Sequence, residues 1–403
     1  MIPAPENPAL GPRAVICGLQ TYCQIGGIQN FNRRVINVLV KRALGKRQPP
    51  PQVFLLNDEA NALPAETAAD FFVFKDRLKF MYAAALAAVS KADLFVICHV
   101  NLIPLAGLVR LFRPRLPILL FVHGIEVWID PPDRRKHWSE RLFFAAVTEI
   151  AAVSAYTARK MAEDFGLPRS KFRLLPNAVD QIAFQPDEHR RDAATILTVN
   201  RMSAHDRGKN ADQMIRAVAK LRAAIPNVRY VMIGDGVLRP ELESLAESLG
   251  VSDIVDFRGW VSPEALQAAY AQATVFAMPS SKEGFGIVYL EAWQFGLPVI
   301  CSDKGASKEV VSDGLDGFVV DSANVSMICD RLHILLTQPA LAKAMGERGR
   351  RKVDAKFLDP NFQANLNSLI DELEPRTSQR QDTLSTSKSE PPAGAQPVSR
   401  NLD

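Results

Sequence analysis

Short, unbroken apolar runs rich in β-branched residues recur along this chain with helical segments between them, and that alternation restricts the fold more than any other feature. Ala-Val-Ile-Cys-Gly (14–18), Val-Phe-Leu-Leu (53–56), Leu-Phe-Val-Ile-Cys (94–98), Ile-Leu-Leu-Phe-Val (118–122) and Ile-Ala-Ala-Val (150–153) come first. A strand with no polar alternate must be covered on both faces, as in a parallel sheet flanked by helices. After a looser, charged stretch at Phe184–Ala194 the pattern restarts with Thr-Ile-Leu-Thr-Val (195–199), Tyr-Val-Met-Ile-Gly (230–234), Ile-Val-Asp-Phe (254–257), Val-Phe-Ala-Met (275–278), Pro-Val-Ile-Cys (298–301) and Phe-Val-Val (318–320). This predicts two α/β domains of doubly wound type with a cleft between them as the natural site.

The length of 403 residues fits two domains, since domains mostly run about 100–200 residues. With 47% hydrophobic and 23% charged residues the composition is that of a soluble globular protein. Every apolar run is far shorter than the ~20 residues of a spanning helix. The start, Met-Ile-Pro-Ala-Pro-Glu-Asn-Pro, has neither the basic nor the apolar region of a secretory signal, so a cytoplasmic location is expected. Cys17, Cys23, Cys98, Cys301 and Cys329 lack metal-type spacing and read as buried free thiols. Residues 1–180 carry 23 basic against 15 acidic side chains, a net of +8 where the whole chain has +4. The first half therefore suits an anionic neighbour. The tail from about Arg376 is rich in Ser, Pro, Gln and Thr without any period, and is expected to be disordered.

Glu283-Gly-Phe-Gly-Ile-Val-Tyr-Leu-Glu291 places two carboxylates around a glycine-containing turn that follows a strand and opens a helix. Backbone N–H groups and the positive helix end at such a place suit a phosphate. Two acids beside an anion site are better acceptors for ligand hydroxyls than phosphate contacts. Gly26-Gly27-Ile28-Gln29-Asn30 opens a helix after the first strand, Phe-Val-His123-Gly124 ends another strand, and Leu-Pro-Asn-Ala-Val-Asp (175–180) precedes the second domain. Val-Asn-Arg201 with Gly208-Lys209-Asn210 follows that domain's first strand, and Ile-Gly-Asp-Gly (233–236) and Phe-Arg-Gly-Trp-Val (257–261) come later.

In this order and spacing the motifs resemble the family-four retaining glycosyltransferases, over about residues 14–375. The resemblance implies the GT-B fold, two Rossmann-like domains facing across a deep cleft. A flexible segment (1–12) would precede an acceptor domain (13–183). A linker (184–194), a nucleotide-sugar donor domain (195–358), a helix crossing back (359–375) and the tail (376–403) would follow. It further implies that Arg201 and Lys209 hold the donor diphosphate, Glu283 a hexose hydroxyl and Glu291 the ribose hydroxyls. The backbone of Phe285, Gly286 and Ile287 would touch sugar and phosphate, Gly26 and Gly27 the donor phosphate and acceptor, and His123 the donor sugar. His99 matches no family motif and is read as structural.

A fixed Arg, Lys and helix N-terminus aimed at a departing diphosphate form an electrophilic clamp, one such donor contributing typically a few kcal/mol. No metal is then required, and the chain contains no Asp-x-Asp pair. The expected reaction moves a hexose, glucose or mannose, from a UDP- or GDP-linked donor to a glycan or polyprenyl-linked acceptor in bacterial exopolysaccharide or lipopolysaccharide synthesis. No resident cofactor is expected. The alternatives are a nucleotide-sugar epimerase of the same fold and a non-catalytic sugar-nucleotide scaffold. Pro104–Leu116, with Leu105, Leu108, Leu111 and Phe112 near Arg110, Arg113 and Arg115, reads equally as packed helix or as a basic amphipathic helix on anionic lipid. Lys46-Arg47 and Arg134-Arg-Lys136 add to that charge. Nucleic acid is not expected, because no aromatic-interleaved basic motif is present.

Overall fold

The computed structural model describes residues 13–24, 26–128, 139–182 and 194–373. The segment 1–12, the basic run Arg134–Lys136, the linker but for Ala194, and the tail from 376 lie outside the described residues.

Among the described residues, two wholly parallel sheets form. The first contains β1 (Ala14–Leu19), β2 (Gln52–Leu56), β3 (Asp70–Phe74), β4 (Leu94–Ile97), β5 (Ile118–Val122), β6 (Glu149–Ala152) and β7 (Phe172–Leu174), in the order β3-β2-β1-β4-β5-β6-β7. The second contains β8 (Thr195–Val199), β9 (Arg229–Ile233), β10 (Val255–Gly259), β11 (Val275–Ala277), β12 (Val299–Ser302) and β13 (Gly317–Val320), in the order β10-β9-β8-β11-β12-β13. The central strands β4 and β5 are buried at every position, because helices cover both faces. Ile16 of β1, for example, lies in register between Val53 and Val96. The fold is the two-sheet Rossmann-like arrangement expected from the apolar runs.

Two strands go beyond that expectation. β3 and β7 form the edges of the first sheet, and edges are less covered. None of the β3 residues is fully buried, and β7 is three residues long, so neither produces a continuous apolar run. Two cysteines also depart from the expectation, since Cys23 is exposed and Cys329 half-buried, although all five are free thiols.

In each sheet the strand order reverses next to the first strand, between β1 and β4 and between β8 and β11. Chain leaving the carboxyl ends of strands there opens a crevice. Leu19, Cys98, Asn200 and Met278 end these four strands or follow them directly, which places the loop leading to Gly26-Gly27, the Asn200-Arg201 segment and the turn leading to Glu283 at the two reversal points.

The helix Asp359–Leu373 packs on the helix Gly27–Gly45 of the first unit. Arg34 bonds Asp359 at 2.7 Å and Asp180 at 2.8 Å, Arg42 bonds Asp371 at 2.5 Å, and Phe31 meets Phe362 edge to face at 5.2 Å. Beside them the outgoing and returning chains touch, with Val179 N donating to Phe357 O at 2.9 Å. A single buried apolar cluster runs from Phe31 and Val35 through Leu175 and Ala178 to Phe285, Tyr289 and Phe362.

The helix Pro104–Phe112 corrects part of the sequence reading. Arg110 donates to the carbonyls of Ala146, Pro114 and Leu116, and Arg113 to those of Val89 and Ala92. Both guanidinium groups are engaged by backbone carbonyls, so the expected face of three outward arginines is reduced to the exposed Arg115. Leu105 is likewise buried, whereas Leu108, Leu111 and Phe112 are exposed.

Candidate active site

The loop after β1 is held from below by one carboxylate. Asp58, fully buried, accepts the N–H groups of Thr21 (2.5 Å), Tyr22 (2.7 Å) and Cys23 (2.8 Å), while Arg33 donates to the carbonyls of Thr21 and Gln24. Gly26 then caps the helix Gly27–Gly45 in an extended conformation, without a side-chain bond to the helix. A methyl group on Gly27 would stand 3.9 Å from Cγ2 of Ile287, so the first loop comes within contact range of the donor-side helix.

After β5 the chain turns at His123-Gly124. The buried Glu126 carboxylate accepts both N–H groups, at 3.0 and 2.7 Å. Gly124 has φ +108°, and a methyl group there would lie 2.5 Å from the Cα of Gly284. A methyl on Gly284 would in turn collide with the carbonyl of His123. The two units thus meet backbone against backbone, at a separation only glycine allows. The His123 ring stands edge-on to Phe31 at 4.8 Å with Nε2 3.3 Å from the Cys98 carbonyl. Burial, with the charge of His99 second, lowers its imidazole to about 3, so it is neutral at physiological pH. His99 itself accepts the Asn101 N–H at Nδ1 and caps a short helical turn, a structural role.

On the donor side, the segment between β8 and the helix Ala211–Leu221 is stitched to the turn that follows β11. Gly208 O accepts Ser281 N–H at 2.7 Å, and Asn210, left-handed at φ +57°, donates from Nδ2 to Pro279 O at 2.7 Å. This delivers Lys209 Nζ to 2.7 Å from Glu283 Oε2, with the two side chains only 20% and 14% exposed. Two expected site residues separated by 74 positions therefore form one ion pair. Arg201 is not brought into it: its side chain is 69% exposed and its nearest acid is Asp206 at 3.7 Å. Gly234 and Gly236 of the Ile-Gly-Asp-Gly motif have a structural cause, since a methyl on either would strike the backbone of Asn200 or Met202.

Glu283 is anchored by its own carbonyl, which accepts Ala306 N–H at 2.9 Å. Gly286, at φ +95°, caps the helix Ile287–Gln294, which has no acid in its first turn and no side-chain cap. Its first N–H groups have no partner within the helix, the usual condition of a helix start. Phe285 turns its ring to Phe357 and away from solvent, at 5.8 Å, leaving its backbone to the turn. Glu291 lies in the second turn of the helix with Tyr270 Oη donating to its Oε2 at 2.9 Å. Burial raises the Glu291 carboxyl, and the Tyr270 bond opposes that rise.

A cationic group, a helix start and two carboxylates thus flank glycine-lined backbone at the junction of the two units. The arrangement can hold an anion at one end and hydroxyl groups at the other. Sequence reasoning missed the residues that hold these groups in place, namely Asp58, Glu126, Tyr270 and Glu309, whose carboxylate accepts Ala155 N–H across the junction at 2.8 Å. Each acts on a segment remote in sequence or on bare backbone, so no local spacing marks it.

Residues 180–352 match the family model described as Glycosyl transferases group 1, and residues 26–181 that of Glycosyltransferase Family 4. The chain is 35% identical over 251 residues to a GDP-mannose-dependent alpha-(1-6)-phosphatidylinositol monomannoside mannosyltransferase of Mycolicibacterium smegmatis, covering 58% of this chain and 64% of that one. It is 33% identical over 267 residues to the protein of the same description from Mycobacterium tuberculosis, covering 62% and 68%. The chain thus spans just under two thirds of the first relative and just over two thirds of the second. Among solved structures, Anabaena HepE in complex with UDP and glucose superposes with a TM-score of 0.71 at 16% identity, over 89% of this chain and 99% of that one. The lipopolysaccharide outer core galactosyltransferase WaaB gives 0.69 at 18% identity, over the same shares. At these identities the two structures establish likeness of fold.

The His123 environment has a consequence for stability. In the unfolded chain the imidazole binds a proton near 6.5, in the folded protein only near 3. Between these values the unfolded state holds more protons, so stability is full above about 6.5 and is lost as the pH falls toward 3. Denaturant unfolding between pH 7 and 4.5 should show His123→Gln with a shallower loss of stability than wild type. Parallel slopes would place the ring in water.

Proposed function

This chain belongs to the family-four glycosyltransferases, and on that premise we propose that it is a retaining, metal-independent hexosyltransferase. It would take mannose from GDP-mannose, or glucose from UDP-glucose, to a glycan or lipid-linked acceptor of a bacterial surface polysaccharide, of exopolysaccharide or lipopolysaccharide type. The observation that carries the reading is the Lys209–Glu283 ion pair, one residue from the contact between Gly284 and His123-Gly124. A diphosphate entering there would take the Lys209 ammonium and the helix start before Ile287, with Arg201 swinging in from solvent. Glu283 would exchange part of its ion pair for a hexose hydroxyl, and Glu291 would accept the ribose hydroxyls. His123, neutral, offers the sugar a hydrogen bond without a competing charge.

In the reaction the bond from the anomeric carbon to the diphosphate oxygen breaks and a bond to the acceptor oxygen forms on the same face. The electron pair leaves with the diphosphate, and the acceptor's proton passes to the departing oxygen. Lys209, Arg201 and the helix N-terminus stabilise the growing charge. Double displacement would require a carboxylate nucleophile at the anomeric carbon, and the Glu283 carboxylate is turned to Lys209 instead.

A lipid-linked acceptor requires access to a membrane surface, and among the described residues no helix is long and apolar enough to cross a membrane. Peripheral contact with anionic lipid is supported by the helix Arg77–Lys91, which exposes Leu78, Tyr82 and Leu86 at intervals of four, beside the helix Pro104–Phe112 with Leu111 and Phe112. Neither helix contains an acid, and Arg77, Lys79, Lys91 and Arg115 are exposed around them. That combination suits an acidic bilayer interface.

Lys209→Ala should lower kcat by roughly 10²–10³-fold, the scale of losing one preorganised donor to a developing charge, with a cooperative melt retained. Near-normal turnover at saturating donor would remove Lys209 from the reaction. Chelation with EDTA should leave the wild-type rate unchanged, and a loss restored by magnesium would contradict the clamp. For the membrane surface, Leu111→Ser with Phe112→Ser should reduce sedimentation with phosphatidylglycerol vesicles several-fold, and wild-type binding should weaken as salt rises. Sedimentation equal to wild type would reject this face.

A further inference from the structure

Glu291 is held by a side chain that no motif announces. Tyr270, on the helix Pro263–Gln272, donates its hydroxyl to Glu291 Oε2 at 2.9 Å. Its ring is 2% exposed and lies nearly parallel to Phe295, at 5.3 Å and 10°, and to Phe276, at 5.9 Å and 28°. These two stacks fix the ring plane, and a tyrosine has only two side-chain torsions to its ring, so the position of the hydroxyl oxygen is set once the ring is set. Burial first, and the neighbouring Glu291 second, push the Tyr270 hydroxyl well above its usual range, which keeps it a donor. An ionised carboxylate has about four acceptor sites on two oxygens, so Oε2 can be anchored while the group still accepts ligand hydroxyls.

We propose that Tyr270 is a positioning residue: by holding Glu291 Oε2 it sets the angle at which the carboxylate meets a ribose and so gives this chain a preference for ribonucleotide over 2′-deoxyribonucleotide donors. This rests on the assignment of Glu291 to the ribose made above. The Tyr270 hydroxyl is given to Glu291, so on this proposal its removal changes donor affinity and leaves the chemical step alone.

Wild type, Tyr270→Phe and Glu291→Ala are titrated calorimetrically with GDP, UDP and their 2′-deoxy forms, and assayed with GDP-mannose and UDP-glucose. Phenylalanine preserves both ring stacks, so Tyr270→Phe keeps a cooperative melt. It should bind the preferred ribonucleotide about tenfold more weakly, the order expected for losing a hydrogen bond to a charged group, with the 2′-deoxy form much less affected. Donor KM should rise by the same factor while kcat stays near wild type. Wild-type affinity and ribose preference in Tyr270→Phe would overturn the inference and leave Glu291 in its role. An equal loss for ribose and deoxyribose forms, as a loosened fold would give, also overturns it. If Glu291→Ala keeps the ribose preference, the ribose assignment fails and the inference falls with it.

Discussion

Gly124 and Gly284 meet backbone to backbone, and most of the site depends on that approach. With a side chain at either position the His123 turn and the Glu283 turn would be pushed apart. The same approach leaves Gly27 within contact range of Ile287, and lets Glu309 accept the Ala155 N–H across the junction. Backbone at Gly124 and Gly284, the Ile287 side chain facing Gly27 and the Glu309 carboxylate thus bring the rims of the crevice together between two sheets that have separate strand ladders.

Much of this was legible in the sequence because it is carried by local pattern. The continuous apolar runs followed from two-faced coverage, and glycines at strand ends marked places where chain comes close to chain. The edges escaped, since half-covered β3 and three-residue β7 have no unbroken apolar run. The arginines of the Pro104–Phe112 helix show a different limit. Arg110 and Arg113 look like surface charge in the sequence, but the carbonyls they satisfy, those of Ala146, Val89 and Ala92, are brought to them by packing. In the site, the types of Lys209, Glu283 and Glu291 were readable. That Lys209 rests on Glu283, and that Tyr270 holds Glu291, are tertiary facts with no trace in spacing.

The electrostatics of the site divides along its length. Lys209 and the uncapped helix start make one end suited to negative charge, and the carboxylates of Glu283 and Glu291 make the rest suited to hydroxyl donors. The Lys209–Glu283 pair balances part of this internally, so neither charge is left alone in a largely buried place. A ligand with a diphosphate between two polyhydroxyl groups would complement both ends at once. On the side of the first unit, His123 is neutral and the Cys98 carbonyl faces its ring, so this wall adds polarity without charge.

Departure of the diphosphate toward the Lys209 end of the crevice, while the acceptor enters on the face being vacated, is the central claim. The configuration at the anomeric carbon reports that directly. Proton NMR of the first product formed from an α-linked donor, GDP-mannose or UDP-glucose, should show the α configuration kept in the new glycosidic bond. A β-linked first product would mean attack from the opposite face, and would contradict departure and attack on one side of the sugar.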